Sequence, residues 1–240
     1  MAQLLTTDHE QMYQELAGEI LRFAFKPGDL LSENYLCQRF HVSRTPVRSV
    51  LQRLQENGLV QIIPRKGSIV TRLDFDIINQ CIYERLAVET MVMRDFIRTC
   101  TALDVEKTRQ VFSQLQALGE LYHNAPRQFD AARFLRTDMA MHETWFGYMK
   151  KRYLWERLSS PRSSYTRFCT LDILEGNNVD DVLAEHAEML NLIDSGNTKE
   201  LEPLLRRHFY GGVRRLGKLI FTKYIDYFEP MGDEPADEIP

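Results

Sequence analysis

The chain has 240 residues, 44% of them hydrophobic, and a formal net charge of −4 at pH 7, which suffices for one large or two ordinary domains, each with its own core. The charge is uneven: residues 1–72 carry nine Lys/Arg against seven Asp/Glu and the remaining 168 carry 21 against 27, so nucleic-acid contact is confined to the N-terminal part. Four cysteines at 37, 81, 100 and 169 form no CxxC pair, no apolar run reaches the roughly 18 residues of a membrane span, and no signal peptide opens the chain; these exclude a zinc ribbon and a disulfide framework, and lead to a soluble, cytoplasmic protein with no membrane partner.

In chain order, Met12, Leu16, Ile20 and Leu21 recur at helical spacing, and Lys26-Pro27-Gly28-Asp29 turns the chain. Ser32 caps a short helix through Phe40, with Glu33 at its positive end. After the His41-Val42 link, Ser43 caps a second helix, which tolerates Pro46 because it falls in the first turn. Val47, Val50, Leu51 and Leu54 form its buried stripe, and Gly58 closes it. Leu59–Ile63 and Ser68–Thr71 then read as strands around a Pro64-Arg65-Lys66-Gly67 turn. This is a winged helix-turn-helix pattern.

Beyond Asp74 the strand signal nearly vanishes. Apolar residues at i, i+3, i+4 and i+7 predict helices over roughly 75–99, 104–122, 128–149, 152–168, 179–195 and 198–227. The chain is therefore mainly α, with a winged helix-turn-helix domain over 1–73 and an all-α bundle over 74–229. Residues 230–240, with three prolines and four acids, read as an acidic disordered tail.

From Arg39 to Arg72 there are seven basic residues (39, 44, 48, 53, 65, 66 and 72) against the single acid Glu56. A recognition helix lays its first residues against base edges in the major groove. Arg44, Thr45 and Arg48 hold those positions; arginine can fork guanine O6 and N7, while Ser43 and Thr45 suit phosphate. Arg65 and Lys66, on a turn released by Gly67, are placed to enter the adjacent minor groove.

Pro27-Gly28-x-x-Leu-Ser32-Glu33-x-x-Leu36, Val42-Ser43-Arg44-Thr45-Pro46-Val47-Arg48 and Gly58-Leu59-Val60 resemble the winged-helix signature of GntR-type bacterial transcription regulators, over the first third of the chain. Asn34 departs from that pattern, standing where the best-studied member has a DNA-contacting arginine.

In the second domain Asp138 and His142 are four apart, on one helix face, with His186 and His208 on two further predicted helices. Taken from spacing alone, each has a surface ion pair or a polar core position as its ordinary alternative. The helical domain is similar to the FCD effector domain of the FadR-like GntR subfamily, and that resemblance implies a divalent metal held by Asp138, His142, His186 and His208. Tyr83-Glu84-Arg85 with Glu89 resembles the start of that domain, whereas Met141 and Lys151 depart from it. Three imidazoles and a carboxylate suit zinc, nickel or another first-row ion. The resemblance further implies that a small carboxylate effector completes the coordination, with Arg85 as the residue placed to bind its other end.

The reading is a homodimeric, ligand-responsive transcription regulator that binds a palindromic operator in double-stranded DNA and needs no catalysis. The competing class is a metal-dependent hydrolase with an accessory DNA-binding domain, with Glu143 or Glu185 as general base. A third is a helical domain that only dimerises and holds no metal. The Gly212–Lys218 stretch nearly spells a phosphate loop, but it lies inside a helical pattern and is set aside. Phe221, Tyr224, Tyr227 and Phe228 read as helix-packing residues.

Overall fold

The computed structural model describes residues 2–159 and 163–230. Apart from Pro230, the acidic segment 230–240 lies outside the described residues. The chain forms two units by its contacts: Met1–Ile78 with Arg162–Arg167 and Lys218–Pro240, and Asn79–Pro161 with Phe168–Gly217.

In the first unit α1 (Ala2–Leu21) begins ten residues before the Met12 stripe that announces it. Met12, Leu16 and Ile20 are buried in one apolar cluster with Leu36 of α2 (Glu33–Phe40) and Val47, Val50, Leu51 and Leu54 of α3 (Arg44–Glu56). Each such Leu or Ile contributes about 1.5–3 kcal/mol of burial, so Leu16→Ala costs about 2–5 kcal/mol. At the Lys26–Asp29 turn the Asp29 carboxylate accepts the Lys26 N–H at 2.7 Å, and Gly28 supplies a φ of +90°. The strands β2 (Val60–Ile63) and β3 (Gly67–Val70) sit within a residue of expectation. A two-residue strand, β1 (Leu30–Leu31), was not legible; it pairs antiparallel with β3 and makes the sheet order β1-β3-β2.

Two distant stretches complete this unit. The Leu73 N–H donates to the Tyr227 carbonyl, and the Glu229 N–H to the Leu73 carbonyl, both at 2.8 Å. Phe23 stacks on Tyr227 with centroids 5.6 Å apart, and Phe75 meets Phe228 edge-on. Arg167 is wholly buried and donates to the Thr71 carbonyl at 2.6 Å and its hydroxyl at 3.0 Å; burial pushes its guanidinium down to about 10.

Among its described residues the second unit has helices and no strand. α4 (Phe75–Thr99), α5 (Ala102–Asn124), α6 (Ala131–Tyr148) and α9 (Val179–Ser195) follow the periodicity to within a few residues. A Thr101/Asp104 capping box starts α5, and the Asp130 carboxylate accepts the Ala132 and Arg133 N–H groups at the head of α6. Two expected helices are divided. The 152–168 segment becomes α7 (Arg152–Leu158) and α8 (Ser163–Glu175), with Pro161, a residue that interrupts helical hydrogen bonding, between them in sequence. The 198–227 segment becomes α10 (Leu201–Leu216) and a single turn α11 (Lys218–Phe221), because Gly217 takes a φ of +37°. Gly211 and Gly212 are packing residues inside α10: a Cβ on Gly211 would lie 2.7 Å from the Arg215 guanidinium, and one on Gly212 would lie 3.1 Å from the Asp172 carboxylate. Arg215 and Asp172 form a two-pronged ion pair there, at 3.1 and 2.7 Å. No helix among the described residues is long and apolar enough to cross a membrane.

Candidate metal centre and nucleic-acid interface

Helices α6, α9 and α10 bring Asp138, His142, His186 and His208 together, with one ligand-type atom from each lying within 4.8 Å of the others. The four-residue spacing of Asp138 and His142 places both on the same face of α6. His142 and His186 are fully buried, and Asp138 is 7% exposed.

The second nitrogen of each ring decides what the first can do. His186 Nδ1 lies 2.8 Å from the Val182 carbonyl, an acceptor only, so this nitrogen carries the proton. His142 Nδ1 lies 2.6 Å from Glu89, and His208 Nδ1 lies 2.9 Å from Glu185. Burial alone would raise the Glu89 carboxyl, but Arg85 and His142 beside it hold it down to about 2. Burial raises Glu185 too, and His208 followed by Arg215 and Arg207 outweighs it. Both carboxylates are therefore ionised acceptors, and all three imidazoles are fixed with hydrogen on Nδ1 and a lone pair on Nε2. Burial also keeps two of the rings neutral: it pushes His186 down to about 3, and it lowers His142 against the opposing pull of Glu89.

His186 Nε2 and Asp138 Oδ1 face each other at 3.3 Å, yet neither has a hydrogen-bond partner, and His142 Nε2 has none either. Burial raises Asp138, but positive charge at His186, His142 and His208 would lower it, and the net direction is below the usual carboxylate range, as at a point that favours a cation. Buried acceptors crowded against one another without a proton repel, and a cation among them reverses the sign. The donor set thus fits a divalent ion, with Glu89, Glu185 and the Val182 carbonyl as the groups that orient its ligands.

Arg85 is 3% exposed and donates from Nε to Glu89 at 2.5 Å, with its guanidinium 4.6 Å from the Phe209 ring centre. It reaches the centre through Glu89, so Arg85, Glu89 and His142 form one chain of contacts. The Trp145 ring closes on His142 edge-on at 5.1 Å. A cleft of about 270 Å³, lined among others by Asp181, Glu188, Arg207, Arg214 and Arg215, also has Glu185 in its wall. Glu143 is exposed, and Glu185 is committed to His208, so neither serves as a general base at the cluster. Arg152 pairs with Glu156 on its own exposed helix face.

In the first unit the basic residues divide into two sets. Arg39 forks Glu19 at 2.7 and 2.8 Å and also meets Glu15, while Arg53 pairs with Glu10 and lies 3.8 Å over the Tyr13 ring. Those two arginines fasten α1 to α2 and α3, and the local charge of +6 counted along the sequence is partly offset by acids from α1. Arg44, Thr45 and Arg48 stand exposed on the first turns of α3. Arg44 donates to the Asn34 side chain at 3.1 Å, and Arg48 to Glu33 at 2.9 Å. Ser43 occupies the cap position of α3 but makes no side-chain cap bond, nor does Ser32 for α2. The hydroxyl of Ser43 and the first N–H groups of α3 make a ready anion site. Arg65 and Lys66 form the exposed wing tip, where Arg65 takes a left-handed φ of 67°. Gly67 is required there by its φ of +119° and because a Cβ would come 3.0 Å from Leu30.

Comparison with known families decides the assignment. The model for bacterial regulatory proteins of the gntR family matches residues 8–70, and that of the FCD domain matches residues 82–211, more than half of the chain. The chain is a GntR-family transcription regulator with an FCD domain. That pairing places it in the FadR subfamily. This GntR regulator is 27% identical over 84% of its length to an HTH-type transcriptional regulator in an unstable DNA locus of Streptomyces ambofaciens, 82% of which is covered. It is 24% identical to the HTH-type transcriptional repressor RspR of Escherichia coli, over 83% of this chain and 85% of that one. Its fold resembles that of E. coli McbR/YncC, with a TM-score of 0.64 at 14% identity over 90% of this chain and 98% of that one. The relatives are regulators, and the GntR chain is read as a regulator and not as an enzyme.

Proposed function

We propose that this regulator is a cytoplasmic homodimer that binds a palindromic operator, and that it senses a small carboxylate metabolite at a divalent metal ion in its FCD domain. The observation that carries the sensing half is the trio of imidazoles whose Nδ1 protons are held by Glu89, Val182 and Glu185, leaving lone pairs beside Asp138. Asp138, His142, His186 and His208 would hold the ion, with zinc or nickel favoured by three nitrogens and one oxygen. The ion supplies a Lewis-acidic position for an exogenous carboxylate. Arg85, through its contact with Glu89, fixes His142 and offers a buried cation beside the site for the far end of the effector.

The DNA half rests on Arg44, Thr45 and Arg48 as base-reading residues, Ser43 as a phosphate contact, and Arg65, Lys66 and Gly67 as the wing tip. Effector binding alters operator affinity only by the difference in its affinity for the two dimer arrangements. The test is selection of genomic fragments by the metal-loaded protein at near-physiological salt. Enrichment of one palindromic site that Arg44→Ala no longer selects supports the reading, and absence of any enriched site contradicts it.

A further inference from the structure

Trp145 follows Asp138 and His142 on one face of α6, at i, i+4 and i+7. It is fully buried, and its ring meets that of His142 edge-on with centroids 5.1 Å apart. The Trp145 Nε1 atom is buried and has no hydrogen-bond partner among the described residues. An indole N–H only donates, and a buried one ordinarily finds an acceptor. The unpartnered groups of the cluster itself, Asp138 Oδ1, His142 Nε2 and His186 Nε2, are acceptors that a cation satisfies. A cation cannot satisfy the Trp145 donor. The carboxylates around the cluster are already committed: Glu89 takes Arg85 on one oxygen and His142 on the other, and Glu185 takes His208 and Arg207.

Charge narrows what can supply the acceptor. Arg85 and Glu89 form an ion pair at 2.5 Å, and Arg207 meets Glu185 at 3.5 Å. Imidazoles that ligate a metal are neutral. A divalent ion facing Asp138 therefore leaves one positive charge in a buried site. One carboxylate balances it, whereas a second would be buried without a cation of its own.

We propose that the Trp145 indole N–H is a recognition donor of the effector site, and that the site takes a monocarboxylate whose other polar groups are neutral. This rests on the metal-site reading above and adds to it a residue and a ligand class. With one carboxylate oxygen on the ion, the other accepts from Trp145, and the ligand is held in one orientation. Its far end meets Arg85, whose charge Glu89 already balances, so a hydroxyl or carbonyl oxygen suits that end.

The experiment is NMR of the zinc-loaded, full-length protein labelled with 15N-tryptophan. The chain has two tryptophans, so the indole resonance that Trp145→Phe removes is assigned. Trp155→Phe gives the same assignment should the first variant not fold, and the titration itself uses the wild type. Acetate and 4-hydroxybutyrate should each move the Trp145 resonance downfield and saturably. In calorimetry Trp145→Phe should bind zinc as the wild type does, and 4-hydroxybutyrate about tenfold more weakly, equivalent to about 1.4 kcal/mol. Succinate, of the same chain length but with a second carboxylate, should bind the wild type at least about tenfold more weakly than 4-hydroxybutyrate. A Trp145 resonance unmoved by both monocarboxylates, or a folded Trp145→Phe that binds 4-hydroxybutyrate as the wild type does, overturns the donor assignment and leaves the metal site in place. Succinate bound as tightly as 4-hydroxybutyrate overturns the ligand class. A wild type that takes up no zinc overturns the metal-site reading itself, and this inference with it.

Discussion

The two sites hold their basic side chains in the same way and to opposite effect. At the centre, Glu89 and His142 are 0% exposed and joined at 2.6 Å; between α3 and α2, Arg48 and Glu33 are 61% and 31% exposed and joined at 2.9 Å. In a dry surrounding such a contact is strong and has no competitor, so it fixes which nitrogen carries the proton. In water it is worth about 0–1 kcal/mol, so Arg48 can leave Glu33 for a base edge or a phosphate. Burial thus separates an orienting contact from an exchangeable one.

The largest effect expected from that comparison is Glu89→Ala. It takes the carboxylate from the buried Arg85 guanidinium and loosens His142, so it should cost about 3–5 kcal/mol, roughly 10 °C in the melt of the FCD domain. Arg48→Ala should change stability by less than about 1 kcal/mol; equal losses from the two variants would break the distinction. Next in size is removal of the ion: at a thousandfold excess over its dissociation constant a bound ion stabilises by about 4 kcal/mol. A chelator should therefore lower the melting temperature of the wild type and leave His186→Ala unmoved.

Third are the operator contacts, measured by fluorescence anisotropy on matched and mismatched sites. Arg44→Ala and Arg48→Ala should each lose about 1–3 kcal/mol of discrimination. Lys66→Ala should weaken all sequences alike and reduce the salt slope by about one. Smallest is Glu33→Gln, which releases Arg48. Stability should move by at most about 1 kcal/mol, and operator affinity should rise severalfold at most; a fall in affinity would show Glu33 to be a positioning residue for Arg48.

Local signals carried much of this molecule. Turn chemistry at Lys26–Asp29 and Pro64–Gly67, the apolar stripe of α3 and the i, i+4 spacing of Asp138 and His142 are short-range patterns, and the structure has the corresponding elements in those places. What the sequence did not disclose depends on distant parts of the chain. Glu89 and Glu185 orient histidines 53 and 23 residues away, and spacing carries no mark of that. Arg39 and Arg53 look like DNA-facing charges until α1 brings Glu10, Glu15 and Glu19 to them. The aromatic run from Phe221 to Phe228 read as packing within the helical part, but Tyr227 and Phe228 pack on Phe23 and Phe75. Pro161 and Gly217 are breakers set inside an otherwise continuous apolar period, and periodicity alone runs through them.

The measurement that bears most directly on the central claim is calorimetric titration of zinc into the metal-depleted full-length protein, beside its His186→Ala variant. One saturable site per chain in the wild type, lost in a variant that remains folded, is the predicted result. No saturable binding by a folded wild type, or equal binding by both proteins, would contradict it.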